Sequence, residues 1–387
     1  MACALLTRVM ILDPASFPKE PEAQTRSRLD SLEWGKASQD SIRHDDFELD
    51  ADFEPYQPSG GRGDRFTREY DDLPIFINKV SDGLVYGPEM LVCDHREPTL
   101  SNERLSHVNL GNISAAIGTL RSLEVPRGVA LLVGVNAAYP GFYHWCFQCL
   151  PAIELLRRFA RREGMDYRLV VPPLNAFQKE SLELLRVIPE ECLELPTDSV
   201  IEHASVVYSS ATSSNYVFQP SNRLTGLLDG YRANALARSA RTRSGAELPT
   251  RFYVSRRDAP RKRPLVNDST LARELAARGV EEVVMSELSL ADQVSMFANA
   301  ETIVAPHGAA LVNLMFSPDT ARLVEILPEH YRHACFFRLC QARGIRYLQV
   351  LSRLEYEDAD TSRHQSRLHV GIDKVIAALD RAERSNR

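Results

Sequence analysis

From residue 129 onward, short unbroken apolar runs alternate with stretches in which apolar residues recur three and four positions apart. The first kind reads as buried strands, the second as amphipathic helices. Residues 129–135 (VALLVGV) give the first such strand. The stretch behind it is helical from Tyr143, with Leu155, Leu156 and Phe159 on one face and Gly164 as its C-terminal stop. Pro151 must kink this helix or open its second half. A strand over 167–171, a helix over 176–187, strands near 191–195 and 204–208, and a long helix over 219–239 follow. A second series begins at Arg251. It comprises a strand over 252–254, a helix to Ala277 with N-caps at Asn267, Asp268 or Ser269, a strand at EVVMS, and a helix to Asn299 opened by Ser289-x-x-Asp292. A strand over 302–305, the turn His307–Ala310, a helix carrying Leu311, Leu314 and Met315, and a strand over 323–327 come next. A helix over 334–342, a strand over 345–351 and a helix bearing Ile372, Val375, Ile376 and Leu379 end the chain. This alternation predicts an α/β protein with parallel sheets, helices on both faces, and ligands at the C-terminal ends of the strands.

The N-terminal part is different. Residues 15–75 are polar, and QPSGGRGDR reads as a loop or disordered linker. Residues 74–93 hold two short strands, IFINKV and LVYGPEMLVC. With 387 residues the chain exceeds one typical core. The expected division is a polar, partly disordered segment 1–75, an N-terminal domain 76–240 and a C-terminal domain 241–387. The net charge of −6 does not advertise nucleic acid or an anionic membrane. No apolar run approaches the ~20 residues that span a bilayer, which leaves only peripheral membrane contact open. Residues 1–12 are apolar-rich but contain Arg8 and run into Asp13-Pro14, so they read as neither signal peptide nor anchor. Seven cysteines at irregular spacing favour a reducing, cytoplasmic setting. Only six of the 46 basic residues are lysine, a bias that fits a GC-rich bacterial genome.

The chemistry concentrates around residues 301–328. Small residues in the turn His307, Gly308, Ala309, Ala310 would let a ligand reach bare backbone N–H groups at a helix start, where negative charge is favoured. Glu325 is an acid inside an apolar strand and needs a partner, for which ribose hydroxyls are one option. The plainer alternative is an ordinary strand–helix turn with Glu325 paired to an arginine. Upstream, SRRDAPRKR (255–263) sets five basic residues just after a strand, where arginine forks can grip phosphate. A solvated basic loop is the alternative.

The string APHGAALVNLMFSPDTARLVEI resembles the signature of glycosyltransferase family 61, with its His-Gly-Ala segment, a following Asn, and a Val-Glu-Ile strand. The resemblance extends over about residues 130–350. It implies an inverting, nucleotide-sugar-dependent transferase with a GT-B-like pair of Rossmann-like domains and a cleft between them. It also implies donor binding through Arg256, with Arg257 and Arg261 as further candidates, and through Asn267, His307, Gly308, Ala309, Ala310, Asn313 and Glu325. In GFYHWCFQCLP, His144-Trp145 and Leu150-Pro151 match the family pattern, while Gln148 stands where an Asp is common. An inverting transfer needs a base for the acceptor hydroxyl, and His144 is placed for it. A histidine that caps the helix or stacks on Trp145 is the alternative. No metal or other cofactor is implied. The implied partners are a nucleotide sugar, UDP-linked by first expectation, and a glycan or lipid-linked acceptor of surface polysaccharide synthesis.

Other motifs carry less. Cys146-x-x-Cys149 lies in an apolar helical stretch and reads as core. Asp50-Ala-Asp52 and Asp358-Ala-Asp360 spell Asp-x-Asp but sit in acidic, loop-like segments, so neither reads as a metal site. Arg62-Gly63-Asp64 reads as a polar loop. With no G-x-G-x-x-G and no P-loop, dinucleotide redox chemistry and ATP hydrolysis are disfavoured. Two rivals remain, a sugar-nucleotide or glycan-binding protein that has lost its base, which Gln148 favours, and another two-Rossmann-domain enzyme such as a sugar-nucleotide epimerase.

Overall fold

The computed structural model describes residues 29–33, 41–43, 45–51, 66–71, 76–87, 89–94, 119–136, 139–209, 220, 224–243, 247–259, 262–330, 333–355 and 367–384. Arg62-Gly63-Asp64, Arg261 and Asp358–Asp360 lie outside them, as do Asp52 and most of residues 1–75. The chain divides into two compact units, one containing Leu73–Asn215 and the other Asp40–Asp72 and Asp229–Arg387.

The first unit is built on a sheet with strands β1 (Phe76–Tyr86), β2 (Ala130–Val133), β3 (Tyr167–Val171), β4 (Cys192–Glu194) and β5 (Ser199–Ser209). β5, β2, β3 and β4 lie side by side in parallel. The chain leaves β2 towards β3 and β4, then returns to the other side of β2 as β5. The order therefore reverses at β2/β5, a point where open α/β sheets bind ligands. The expected all-parallel sheet is corrected at one edge. β1 pairs antiparallel with β5, and Leu29–Glu33 and Leu91–Asp94 pair antiparallel with β1. The polar Ser81-Asp82-Gly83, expected as a break between two strands, stays within β1. Asp82 takes a left-handed φ of 54° and the pairing passes over it. Two helices connect the parallel strands, α1 (Leu150–Arg162) and α2 (Ala176–Leu184). α2 is held at its start by a capping box between Asn175 and Gln178, with bonds of 3.0 and 3.1 Å.

The second unit follows the expected elements closely. The predicted long helix over 219–239 is instead a short turn, Leu224–Leu227, followed by α3 (Asp229–Thr242). Then come β6 (Arg251–Val254), α4 (Asp268–Ala276), β7 (Glu281–Val283), α5 (Leu290–Ala298), β8 (Thr302–Pro306) and β9 (Arg322–Pro328). α6 (Cys335–Arg343), β10 (Arg346–Leu354), β11 (Leu368–Val370) and α7 (Ile372–Arg384) complete it. The sheet order is β7-β6-β8-β9-β10-β11, parallel except for β11. Alternate residues of each strand face opposite layers. Tyr253, Val304, Val324, Ile326 and Leu348 face α4 and α7, whose Leu271, Leu275, Val375 and Leu379 complete one core. Phe252 faces the other way, its ring 5.2 Å from that of Phe297 on α5. The order reverses between β6 and β8, so a second ligand-binding crevice is expected where those two strands end.

Residues before 75 also contribute to this unit. Phe47–Glu48 adds a parallel strand to β10. The Phe47 ring meets Phe337 edge-on at 5.0 Å, and Glu48 accepts from Arg346 and from Arg381, each at 2.8 Å. Buried Arg338 donates to the Thr67 carbonyl at 3.1 Å and to its hydroxyl at 2.7 Å. Residues 45–51 thus form one edge of the second core, with Asp46 and Glu48 paired to Arg346, Glu48 also to Arg381, and Asp50 to Lys374.

Candidate functional site

Arg256 leaves the C-terminal end of β6, and His307 leaves that of β8. The switch point therefore brings together two residues 51 apart in sequence, and Nη1 of Arg256 donates to the His307 carbonyl at 3.1 Å. Nη2 donates to the Lys262 carbonyl, while Nε is buried without a hydrogen-bond partner. Both partners are neutral carbonyls, and among the described residues no carboxylate forms an ion pair with this guanidinium. Burial, and next the charge of Arg263, lower the Arg256 pKa to about 10. The guanidinium approaches Gly308 with Nη1 leading, and an added Cβ there would collide with Nη1. Gly308 has an extended φ of −173°, so this close approach, not backbone conformation, is what calls for glycine there. Arg263 itself holds a left-handed φ of 55°, uncommon for a side chain of its size. No local motif announces that strain.

His307 is 5% exposed and Glu325 0%. Nδ1 of His307 stands 2.6 Å from Oε1 of Glu325, and Tyr347 donates its hydroxyl to Oε2 at 2.7 Å. The partner expected for Glu325, a ribose or an arginine, is replaced by this histidine and tyrosine. The reason is register. Ala305 pairs with Glu325, and Leu323 with Tyr347, which puts all three polar groups on the same side of the sheet. A carboxylate at Nδ1 fixes that nitrogen as the protonated one and leaves the ring lone pair on Nε2. Burial, Arg263 and Arg256 hold His307 below its ordinary range against the upward pull of Glu325.

The remaining expected donor residues separate into two groups. After Gly308 the chain forms a 3₁₀ helix, Ala309–Phe316, rather than an α-helix; Ala309 is exposed and Ala310 half-buried. Asn313 braces this turn from inside, donating to the Ala310 carbonyl at 3.1 Å. Arg257 points away and pairs with Glu282 at 3.1 Å. Asn267 is not the side-chain cap of α4. Its amide instead donates to the Val370 carbonyl at 2.8 Å and accepts from the Val370 N–H at 3.3 Å, standing in for a strand partner. Asp268 takes the buried polar role beside it, accepting from Ser255 at 2.7 Å and from Tyr253. It thereby fixes the residue before Arg256, a contact that no motif announced.

In the first unit, His144 lies beyond the C-terminal end of β2, at the other switch point. Gly141 occupies the helix N-cap, so His144 is not a cap. Trp145 is fully buried and donates to Ser181 at 2.7 Å. The His144 ring packs edge-on against Tyr143 at 5.3 Å. Trp145–Cys149 forms one π-helical turn ahead of Pro151, which has no N–H to offer an α-helical bond. This is how the expected distortion at Pro151 is realised. Gln148 is 4% exposed. Its Oε1 stands 3.0 Å from Nδ1 of His144 and accepts from Asn136 at 3.3 Å. The residue in place of the usual Asp therefore still orients His144, without a charge. Cys146 and Cys149 are free and buried, and burial pushes both thiols up, Cys149 to about 12. Asp50 is used structurally, accepting from the Leu351 N–H at 2.9 Å. Among the described residues no group of three or more His, Cys, Asp and Glu side chains could hold a metal ion.

Residues 142–324 match the family model described as Glycosyltransferase 61. The family 61 match begins two residues before His144, takes in Arg256 and the His307–Ala310 turn, and ends one residue short of Glu325. It supports a glycosyltransferase, with a sugar donor and an acceptor as partners. No curated protein matches the chain. No helix among the described residues is long and apolar enough to cross a membrane.

Proposed function

We propose that the chain is an inverting, metal-independent glycosyltransferase of GT-B type, which takes a sugar from a nucleotide-diphosphate donor, UDP-linked by first choice. The acceptor is a glycan or lipid-linked glycan of bacterial surface polysaccharide synthesis, used on the cytoplasmic side. The observation that carries the donor assignment is Arg256, a half-buried cation at a switch point whose hydrogen-bond partners are both carbonyls. Asp258 and Asp268 act on this guanidinium only through their fields, with no ion pair to either; a partly desolvated charge gains from a direct counter-charge, and a diphosphate would supply one. His307 and the small residues after it form the wall beside that cation. Glu325 and Asn313 hold the wall in place. Asn267 and Arg257 belong to the support rather than to the ligand contacts, and Arg261 remains a further candidate contact.

The test is a titration with UDP and with uridine, in chelator. Arg256→Ala is expected to weaken UDP by roughly 1.5–3 kcal/mol, the range for a charge-assisted hydrogen bond, and to leave uridine nearly unchanged. Equal losses for both would make Arg256 structural, and loss of UDP binding on adding chelator would remove the metal-free reading. Gly308→Ala gives an independent check. Its Cβ meets only the flexible end of Arg256, so the melting temperature should hold while UDP affinity falls about 10- to 100-fold, within the range for Arg256→Ala. A melting temperature that collapses would show that the turn itself needs glycine.

The uncharged Gln148 favours a second reading, a sugar-nucleotide-binding protein without turnover. Donor binding with neither sugar transfer nor donor hydrolysis would select it.

A further inference from the structure

His307 is held between opposite charges. Glu325 faces it from β9, with Tyr347 of β10 on the far carboxylate oxygen. Arg256 lies against its carbonyl, and Arg263 adds a second positive charge from the same loop. From the segment ahead of α6, the His333 ring stands 6.4 Å away, and on α6 the Phe336 ring stands 5.0 Å away. Cys335 and Cys340 of α6 and Tyr347 are pushed up by burial and by Glu325, so they stay protonated and neutral. Among the described residues, one carboxylate stands against two guanidiniums around this buried ring.

A donor changes one side of that balance. A diphosphate on Arg256 would cancel the positive field without touching Glu325. We propose that donor binding at Arg256 brings a proton with it. His307 takes this proton from solvent at Nε2 and becomes an imidazolium between Glu325 and the diphosphate. This deepens the donor-site reading above and rests on it. As the acceptor oxygen bonds to the anomeric carbon and gives its proton to the base, the bond from that carbon to the β-phosphate oxygen breaks, and its electron pair stays on the phosphate oxygen. The imidazolium N–H then shares its hydrogen with the oxygen's growing charge, and the proton returns to solvent when the nucleotide leaves. His307 is thus a second positive charge on the leaving group, present only while the donor is there. Opposite charge within ~4–6 Å alters proton affinity by about 10- to 1000-fold, in the direction that protonates the ring. Donor affinity should accordingly rise as pH falls through the bound-state titration of His307, and level off below its free-state titration.

The experiment is calorimetry of the full chain with UDP- and GDP-sugars, in Tris and in PIPES at one pH. Their diphosphates are esterified at both ends and do not titrate near neutrality. The expected result is a binding enthalpy that differs between the buffers by about one proton per site. The difference should vanish in His307→Gln and persist in His333→Gln. Equal enthalpies in the two buffers, or proton uptake that survives His307→Gln, would overturn the proposal while the donor site stands. If no sugar nucleotide binds, the donor-site reading fails and this inference with it. If His307→Gln does not fold, ¹⁵N-histidine spectra carry the same test on folded protein. One ring must pass from neutral to doubly protonated on donor addition, in the wild type and in His333→Gln alike, and no such change would overturn the proposal.

Discussion

Replacing His144 with alanine is expected to cut sugar transfer by about 10²–10⁴, the usual contribution of a general base, and to leave donor affinity within a few-fold. The first half follows from the site around the ring. Nδ1 faces Gln148 Oε1 at 3.0 Å, so with Nδ1 protonated the basic lone pair is on Nε2. The π-helical turn and Pro151 fix the helix start on which His144 stands. The second half follows from the division of the chain. Arg256, Gly308 and His307 all belong to the other compact unit, so the donor contacts proposed for them do not include His144. His144→Gln keeps size and polarity but not basicity, and should be nearly as inactive as alanine. Full activity in His144→Gln would reduce the residue to packing, and the base would have to be found elsewhere. Gln148→Asp offers the converse. A carboxylate in place of Oε1 would stabilise the protonated ring and shift the acidic limb of the pH–rate profile upward. A profile that stays put would mean that residue 148 does not tune the base.

The sequence was most informative where burial on both faces leaves nothing but apolar residues. The runs at 302–305 and 323–327 became β8 and β9 within two residues, and Asp292 and Ser289 form the expected cap at 3.1 Å. Their alternation with helices was enough to expect a parallel sheet but not its strand order or its switch point, which depends on which strand returns to which side. The switch point is what brings Arg256 to His307, so the site's residues were legible singly and their meeting was not. Glu325 was recognisable as a buried acid in need of a partner. Its partner depends on the pairing of β8 with β9 and of β9 with β10, and sequence does not fix register across strands 18 to 22 residues apart. Asn267 shows the opposite failure. Local rules make Asn ahead of a helix a cap, but β11, arriving 103 positions later, offered two backbone groups and won. The N-terminal acids were hidden by composition. Asp46 and Glu48 look like solvated linker until Arg346 and Arg381 are seen opposite them.

Glu325→Ala should be the most damaging substitution to the fold among the site residues, at roughly 3–5 kcal/mol. Two buried donors lose their acceptor at once, the Nδ1–H of His307 and the hydroxyl of Tyr347. Each orphaned group costs about 1–3 kcal/mol, and the space left in the middle of β9 adds a cavity cost. Set against the ~5–15 kcal/mol that holds a typical domain together, this would bring the second unit close to unfolding, as denaturant melts would show. A loss under ~1 kcal/mol would mean that water or a rearranged His307 replaces the carboxylate readily. Glu325→Gln separates support from charge. The amide oxygen can still accept from His307, and the Tyr347 hydroxyl can turn to accept from the amide nitrogen, so only about 1 kcal/mol should be lost. What disappears is the negative charge that favours a protonated His307. In the native protein burial already holds His307 below its ordinary value, so as pH falls the unfolded chain takes up this proton first. Stability from this group is therefore complete above its unfolded value, about 6.5, and is lost as pH drops from there towards the lower folded value. Without the carboxylate the folded value falls further, so in Glu325→Gln the loss should continue to lower pH and grow larger. The same variant should bind donor more weakly near neutrality and take up less than one proton on binding. If its acid limb of stability superimposes on that of the wild type, Glu325 does not govern the charge on His307, and its contacts are those of a core residue alone.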